Sequence, residues 1–285
     1  MSNLVKKDDS VYYSTEDIYD SSGLLLLRKG QKITNSTKRR LERIGNYGPE
    51  RLYSPGNKQN VIPASKDIQS NVLPSGNELV GRIKTNNNPL FERTNEMLIN
   101  IVFESKAEPW WIHINALSNY VDWLYTHSID VAMISMLIAA ELGYNDKELF
   151  NMGLGALLHD VGKLLIPKPI LQKPEGLTDM EMALVRQHCE LGTSSLGTSL
   201  PKGCMDIVMQ HHERCDGKGY PNGLKGDEIS RNARIVMIAD AFDTLTAGRP
   251  YRTTQEINEA IMILKYDKGK YDQEFISLLE KILVE

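Results

Sequence analysis

A polar pair in the middle of an apolar stretch, GALLHDVGKLLIP, limits what this chain can fold into more than any other feature. If the stretch forms a buried helix, an unpaired carboxylate at Asp160 costs several kcal/mol. A metal ion removes that cost because it supplies positive charge and bond partners. Adjacent helical residues point about 100° apart, so His159 and Asp160 can contact two different ions.

Other histidines and acids occur in comparable settings. His211 and His212 are adjacent in MQHHERCDGKGYP, an arrangement that suits two ions side by side. Asp240 lies in the apolar stretch RIVMIADAFDTLTAGRPYR, and Asp243 follows on the same helical face. Two further histidines stand in the longest apolar segment and in VRQHCELG: His127 and His188. A mixed imidazole and carboxylate set favours Fe, Mn, Zn or Ni over Ca or Mg, and lacks the thiolates of a structural zinc site.

The chain reads as three parts. Residues 1–53 predict a small α+β module, in which GLLLLRKGQKITNSTKRRLERIG gives two short strands and a basic helix that ends at Gly45. Residues 54–77 are rich in Pro, Asn, Ser and Lys, which is typical of a linker. Residues 78–285 hold amphipathic and apolar helical segments. We therefore expect a mainly α protein in which a helical domain follows the small module.

Composition excludes several functional classes. The net charge of −4 argues against binding to polymeric nucleic acid. No segment reaches the roughly 18 uninterrupted apolar residues of a membrane span, and MSNLVKKDDSVYY lacks the apolar core of a secretory signal. The cysteines form no CxxC pair, which indicates reduced thiols and a cytoplasmic protein. Cys215 is better explained as a packed thiol than as a metal ligand.

Five ordered motifs, HDVGK, HHE, DGKGYP, IADAFD and RPYR, resemble the HD-GYP branch of the HD-domain phosphohydrolases. The resemblance extends from about His127 to Arg252. It implies an HD-type helical bundle that holds two or three metal ions and hydrolyses a cyclic dinucleotide, usually cyclic di-GMP. By position it implies these metal ligands, with Asp160 bridging two ions: His127, His159, Asp160, His188, His211, His212 and Asp240.

The resemblance also implies substrate contacts at Lys163, Tyr220, Arg249 and Arg252. Lys and Arg are usually solvated surface residues, but a lysine directly after HDVG is hard to explain in that way. We expect Lys163 and Arg249 to offset charge on the phosphoryl oxygens. Asp243 is expected to orient a ligand or to accept a proton, which completes a catalytic group with Asp160 and Lys163.

At two positions the sequence departs from the family pattern. These departures bear on the number of metal ions and on the local backbone. Some members carry a glutamate four residues before the first histidine, which completes a third metal site. Here that position is Trp123, and Asp122 is one residue out of register. We therefore expect two divalent ions, with Fe or Mn favoured and Ni or Zn as alternatives. Cys189 replaces a proline that usually follows the histidine, a change expected to affect the local backbone more than the chemistry.

These features predict a phosphodiesterase that opens cyclic di-GMP to linear pGpG, by attack of a hydroxide shared between two ions. Whether pGpG is cut further to GMP stays open. Two alternatives also stay open: a phosphodiesterase for another cyclic dinucleotide such as 3′,3′-cGAMP, and a sensor that binds a cyclic dinucleotide without cutting it. The N-terminal module offers no ligand residues, and we expect it to support a homodimer or to contact a signalling partner.

Overall fold

The computed structural model describes residues 89–106, 108–247, 254–267 and 269–284, and the backbone of five short strands within residues 4–33. The chain divides into two compact units, Met1–Ser70 and Asn71–Glu285. The predicted linker at 54–77 lies outside the described residues, so the predicted domain limits stay a prediction.

The strands of the first unit form two small antiparallel sheets. They are β1 Leu4–Asp8, β2 Val11–Ser14, β3 Ile18–Tyr19, β4 Leu25–Leu27 and β5 Lys32–Ile33. One sheet has the order β1-β2-β5, and the other pairs β3 with β4. The two strands predicted around the Lys-Gly turn correspond to β4 and β5, which belong to different sheets. The predicted basic helix ending at Gly45 lies outside the described residues.

The described part of the second unit is helical, which confirms the mainly α prediction. Its α-helices are α1 Pro89–Ser105, α2 Trp111–Tyr120, α3 Asp122–Glu141, α4 Asp146–Leu157, α5 Lys168–Leu171, α6 Asp179–Arg186, α7 His188–Leu196, α8 Lys202–Gln210, α9 Arg231–Thr246, α10 Ile257–Tyr266 and α11 Gln273–Val284. Two short 3-10 helices, Val161–Leu165 and Gly226–Glu228, lie between them.

Helix α3 forms the centre of this bundle. It is apolar on nearly all sides, and such a helix requires partners all around it. It packs against α1, α2, α4, α9 and α11. Residues Trp123–Glu141 have the length and apolarity of a membrane span, but 89% of the stretch is buried inside the protein, as expected for a core helix.

The local structure around His159 and Asp160 differs from the sequence prediction. We expected both residues within a helix, but α4 ends at Leu157 and the pair lies in the turn before the 3-10 helix. The backbone tightens here, because the N–H of His159 bonds to the carbonyl of Ala156, three residues back. The His159 Nδ1 atom contacts the same carbonyl at 2.6 Å. The helix therefore ends at the residues that form the site.

A glycine allows this turn to approach helix α7. A Cβ atom at Gly162 would overlap the carbonyl oxygen of His188 and crowd the backbone nitrogen of Gly192. The absence of a side chain thus brings the backbone after Asp160 against the first turn of α7. Because His188 is the first residue of α7, this contact sets the position of one predicted ligand relative to another.

Candidate metal centre and active site

The predicted ligands come together from five parts of the second unit. Two groups of side chains have donor atoms within 4.8 Å of one another: His127, His159 and Asp160 in one, and Asp160, His188, His211 and His212 in the other. Asp160 belongs to both groups. Each group could hold a metal ion, and the two groups share one carboxylate.

The two oxygens of Asp160 face different histidines. Oδ1 lies 3.4 Å from His188 Nε2 and 3.7 Å from His211 Nε2. Oδ2 lies 3.3 Å from His159 Nε2 and 3.7 Å from His127 Nε2. A carboxylate whose two oxygens point at separate donor groups is suited to bridge two ions.

Asp240 closes the cluster from helix α9. Its Oδ1 atom lies 3.1 Å from His127 Nε2, and its Oδ2 atom lies 3.9 Å from His212 Nδ1. The seventh predicted ligand therefore contacts one histidine of each group. His127 lies on α3, whereas His211 and His212 directly follow α8.

Hydrogen bonds behind the histidines fix which nitrogen faces the centre. Backbone carbonyls accept a bond from Nδ1 of three rings: His159 to Ala156 at 2.6 Å, His188 to Val185 at 2.7 Å, and His211 to Val208 at 3.0 Å. With the proton on Nδ1, each ring presents its Nε2 lone pair to the centre, where the Nε2 atoms of His188 and His211 lie 3.1 Å apart. Such outer partners commonly orient histidine ligands.

Asp243 orients the ring of His127 in the same way. Its Oδ2 atom lies 2.7 Å from His127 Nδ1, on the side of the ring away from Asp160. Of the two roles expected for Asp243, orientation of a ligand is the one that its buried position supports. Burial lowers the pKa of His127, but Asp240 and Asp243 together raise it to about 9. Surroundings this acidic favour a divalent cation.

Two buried polar atoms test whether a metal ion fits. His159 Nε2 and Asp160 Oδ1 are buried, and neither has a hydrogen-bond partner among the described residues. An unsatisfied buried polar group costs about 1–3 kcal/mol. Both atoms are electron-pair donors directed into the cluster, and a cation satisfies both. The residues present therefore fit a divalent metal ion.

The protonation states of three other histidines and of Asp160 agree with this conclusion. Burial lowers the pKa of His188 to about 3, and it also lowers the pKa values of His211 and His212. These imidazoles stay neutral, which is the form that binds metal. Burial raises the pKa of the Asp160 carboxyl, but the charge of Lys163 and neighbouring groups holds it well below its usual range. The Asp160 carboxylate is thus ionised.

Comparison with known proteins gives the family of this chain. Residues 112–275 match the family model described as HD domain, which is more than half of the chain. The chain belongs to the HD-domain family. It is 38% identical over 168 residues to a cyclic di-GMP phosphodiesterase of Pseudomonas aeruginosa, covering 56% of this chain and 41% of that protein. It is 39% identical over 159 residues to a 3′3′-cGAMP-specific phosphodiesterase of Vibrio cholerae, covering 55% and 35%.

The chain thus spans less than half the length of these curated relatives. The solved structure of Bd1817, an HDG"Y"P protein from Bdellovibrio bacteriovorus, matches with a TM-score of 0.53 at 20% identity, covering 99% of this chain and 97% of that one. At this identity the likeness concerns the fold alone. Together the family match and the curated relatives confirm the resemblance to the HD-GYP branch.

The Gly-Tyr-Pro loop of this HD domain is held in place by a residue for which the sequence predicted no role. Glu213 follows His212, and its buried carboxylate accepts bonds from the backbone N–H groups of Asn222 at 2.7 Å and Leu224 at 3.0 Å. A buried carboxylate is stabilised by such bonds. Glu213 therefore couples the loop to the ligand pair. The one sequence feature that could have indicated this role is an acidic residue directly after the His-His pair.

The loop also folds closely onto Glu213. A Cβ atom at Gly219 would overlap the Glu213 backbone, so only glycine fits there. The next residue, Tyr220, places its ring 4.9 Å from the ring of His212, at 31° to it. The half-buried tyrosine thus lies directly beside His212, one of the predicted metal ligands.

Replacing Glu213 with glutamine is expected to loosen the loop without emptying the metal centre. Glutamine has one acceptor oxygen, so one backbone N–H loses its partner, at a cost of about 1–3 kcal/mol. We expect KM for the substrate to rise about tenfold, with bound metal unchanged. Steady-state kinetics and metal analysis test this, with the exposed Glu190→Gln as control. Lost metal with an unchanged KM would contradict the assignment.

The structure describes some of the remaining predicted residues and not others. Lys163 is largely buried, with Nζ 2.5 Å from Asp160 Oδ2 and 5.9 Å from the centre of the Trp123 ring. Cys189 is buried within α7, which continues through it. Burial raises the pKa of its thiol. Arg249 and Arg252 lie outside the described residues, so their substrate contacts stay a prediction.

Proposed function

We propose that this chain is a metal-dependent phosphodiesterase that opens a cyclic dinucleotide, with cyclic di-GMP as the preferred substrate. The observation that carries the proposal is the position of Asp160, whose two oxygens face two separate groups of histidines. Two curated relatives whose names specify cyclic dinucleotide hydrolysis support the substrate class. The expected product is linear pGpG, with further cleavage to GMP as an extension of the same chemistry.

We propose a centre of two ions, Fe or Mn in preference to Ni or Zn. The seven donors are nitrogen and oxygen atoms. Two such ions, once bound, polarise a phosphoryl oxygen and lower the pKa of water. Trp123 favours two ions over three. Its ring packs against His127, with 6.3 Å between the ring centroids, and offers no metal-ligating atom at that position.

The side chains around the centre have different proposed roles. Asp160 and the histidines hold the site in shape before substrate binds, so little reorganisation is needed during the reaction. Lys163 pairs with Asp160 and is proposed to offset negative charge on the phosphoryl oxygens as well. Asp243 keeps the His127 ring aimed at the centre. Arg249 and Arg252 are proposed to contact substrate phosphate or base.

Replacing Tyr220 with alanine is expected to weaken substrate binding and to leave the metal in place. The ring packs on His212 at a tilt of 31°, and both groups of candidate metal donors are formed without Tyr220. Loss of aromatic stacking on a base is worth about 1–3 kcal/mol, so we expect KM to rise about 5- to 100-fold. Kinetics with parallel metal analysis test this. If the variant loses metal as well, the tyrosine holds the centre together.

A second candidate substrate has a specific observation in its favour. A relative that is 39% identical acts, by its name, on 3′3′-cGAMP. Metal-loaded protein should therefore be assayed in parallel with cyclic di-GMP and 3′,3′-cGAMP, with products separated by chromatography. A higher kcat/KM for cyclic di-GMP is the expected result. Faster cleavage of 3′,3′-cGAMP would reassign the substrate, and tight binding without cleavage of either would indicate a sensor.

The setting of this activity is also a proposal. We propose a cytoplasmic protein whose N-terminal unit mediates a homodimer or contacts a signalling partner. Size-exclusion chromatography with light scattering of the full chain tests the dimer, and a monomer at all concentrations would exclude it.

A further inference from the structure

Arg186 lies at the edge of the metal centre and has no role in the chemistry described above. It is the last residue of α6, two positions before His188, and its side chain is exposed. Its guanidinium carbon lies 5.2 Å from the centre of the Tyr220 ring. Because Tyr220 packs on His212, a chain of contacts connects an exposed cation to the metal ligands.

The cations near the centre differ in whether a carboxylate already neutralises them. Lys163 pairs with Asp160, and Arg214 pairs with Asp216 through two hydrogen bonds of 2.9 and 2.6 Å. Within the described part of the chain, no carboxylate forms an ion pair with Arg186. Its charge is therefore available to an anion that approaches Tyr220.

We propose that Arg186 binds the second phosphate of the substrate, the one that is not being cut. The inference rests on the proposed function. A cyclic dinucleotide contains two phosphodiester groups, and the metal centre receives the one that is hydrolysed. The other keeps its negative charge and lies outside the metal centre, where a cation can pair with it. Arginine suits this role because its planar fork forms two charge-assisted hydrogen bonds to a phosphate.

The contact with Tyr220 distinguishes this role from a general stabilising one. A basic residue in the last turn of a helix interacts favourably with the helix dipole wherever it points. Arg186 instead packs over an aromatic ring, which limits the directions its guanidinium can take. The ring that it covers packs on His212, so the cation is held beside the candidate metal centre.

The test compares two substrates in metal-loaded full-length protein. With Arg186→Ala we expect KM for cyclic di-GMP to rise about 10- to 100-fold, as for loss of a charge-assisted hydrogen bond, with kcat within about twofold. Hydrolysis of bis(p-nitrophenyl) phosphate, which has a single phosphate, should be unchanged. The rise of KM with ionic strength should be shallower than in wild type. Arg186→Lys should recover part of the loss.

The chain offers a matched control in Arg231. Its exposed guanidinium lies 5.7 Å from the centre of the Phe275 ring, so Arg231→Ala removes the same kind of pair. It begins α9, nine residues before Asp240, or roughly 13 Å along the helix axis. This variant should leave KM for both substrates unchanged.

Three results would overturn the proposal, each for a different reason. An unchanged KM for cyclic di-GMP in Arg186→Ala would show that the arginine does not contact the substrate. A raised KM with an unaltered salt dependence would exclude a phosphate contact. Cleavage of bis(p-nitrophenyl) phosphate by wild type without cleavage of any cyclic dinucleotide would refute the proposed function itself, and the inference with it.

Discussion

Asp160→Ala is expected to reduce turnover at least about 10³-fold and to lower bound metal to less than one ion per chain. The substitution removes a donor from both metal groups at once, because each oxygen of Asp160 faces its own histidines. It also leaves Lys163 largely buried without its carboxylate partner. Loss of metal chemistry worth several kcal/mol accounts for the size of the effect, since 1.36 kcal/mol is tenfold in rate.

A second variant of Asp160 distinguishes the effect of its negative charge from the effect of its side-chain volume. Asp160→Asn keeps the side-chain volume but removes the negative charge, and we expect it to lose nearly as much metal as the alanine variant. Asp227→Ala serves as control, since that side chain is 95% exposed. Metal analysis by mass spectrometry and initial rates test both. Wild-type activity in Asp160→Ala would remove the whole site assignment.

Gly162→Ala is expected to have the second largest effect. The added Cβ overlaps the His188 carbonyl and crowds the Gly192 nitrogen, and both are backbone atoms of one helix. The strain can be relieved only by moving the turn after Asp160 away from α7, which separates the ligands. Overpacking of this kind costs about 1–3 kcal/mol, or roughly 3–10 °C in Tm for a domain of this size. Metal content should fall in parallel.

A second glycine gives the matched control. A Cβ atom at Gly176 meets nothing within 4 Å, so Gly176→Ala should change the free energy of unfolding by less than about 0.5 kcal/mol. Thermal unfolding with and without added metal compares the two variants. A Gly162→Ala protein with wild-type Tm and full metal content would show that the turn and α7 are not in close contact.

The clustering of the predicted metal ligands could be expected from the sequence for a physical reason. Histidines and aspartates within apolar segments are too costly to bury without partners. Several of them in one chain therefore indicate a common partner. The structure brings six of the seven predicted residues into two groups of donors around Asp160, with Asp240 in contact with one histidine of each group. This division of donors is what the sequence lacked. That division depends on which elements pack together, and no local pattern encodes it.

Other features could not be predicted because they depend on contacts between distant segments. The end of α4 at Leu157 is set by the tight turn at His159 and by the approach of α7 to Gly162. The role of Glu213 depends on backbone N–H groups nine and eleven residues away. Arg186 reads as an ordinary surface residue until the loop places Tyr220 beneath it.

The central claim is that this HD domain uses metal ions shared through Asp160 to open a cyclic dinucleotide. The measurement that tests it most directly is anaerobic incubation of Fe(II)- or Mn(II)-loaded protein with cyclic di-GMP, with products separated by chromatography and Asp160→Ala run in parallel. We predict that wild type forms linear pGpG and that the variant forms none. Wild-type protein with confirmed bound metal that forms no product, or equal product from both proteins, would contradict the account.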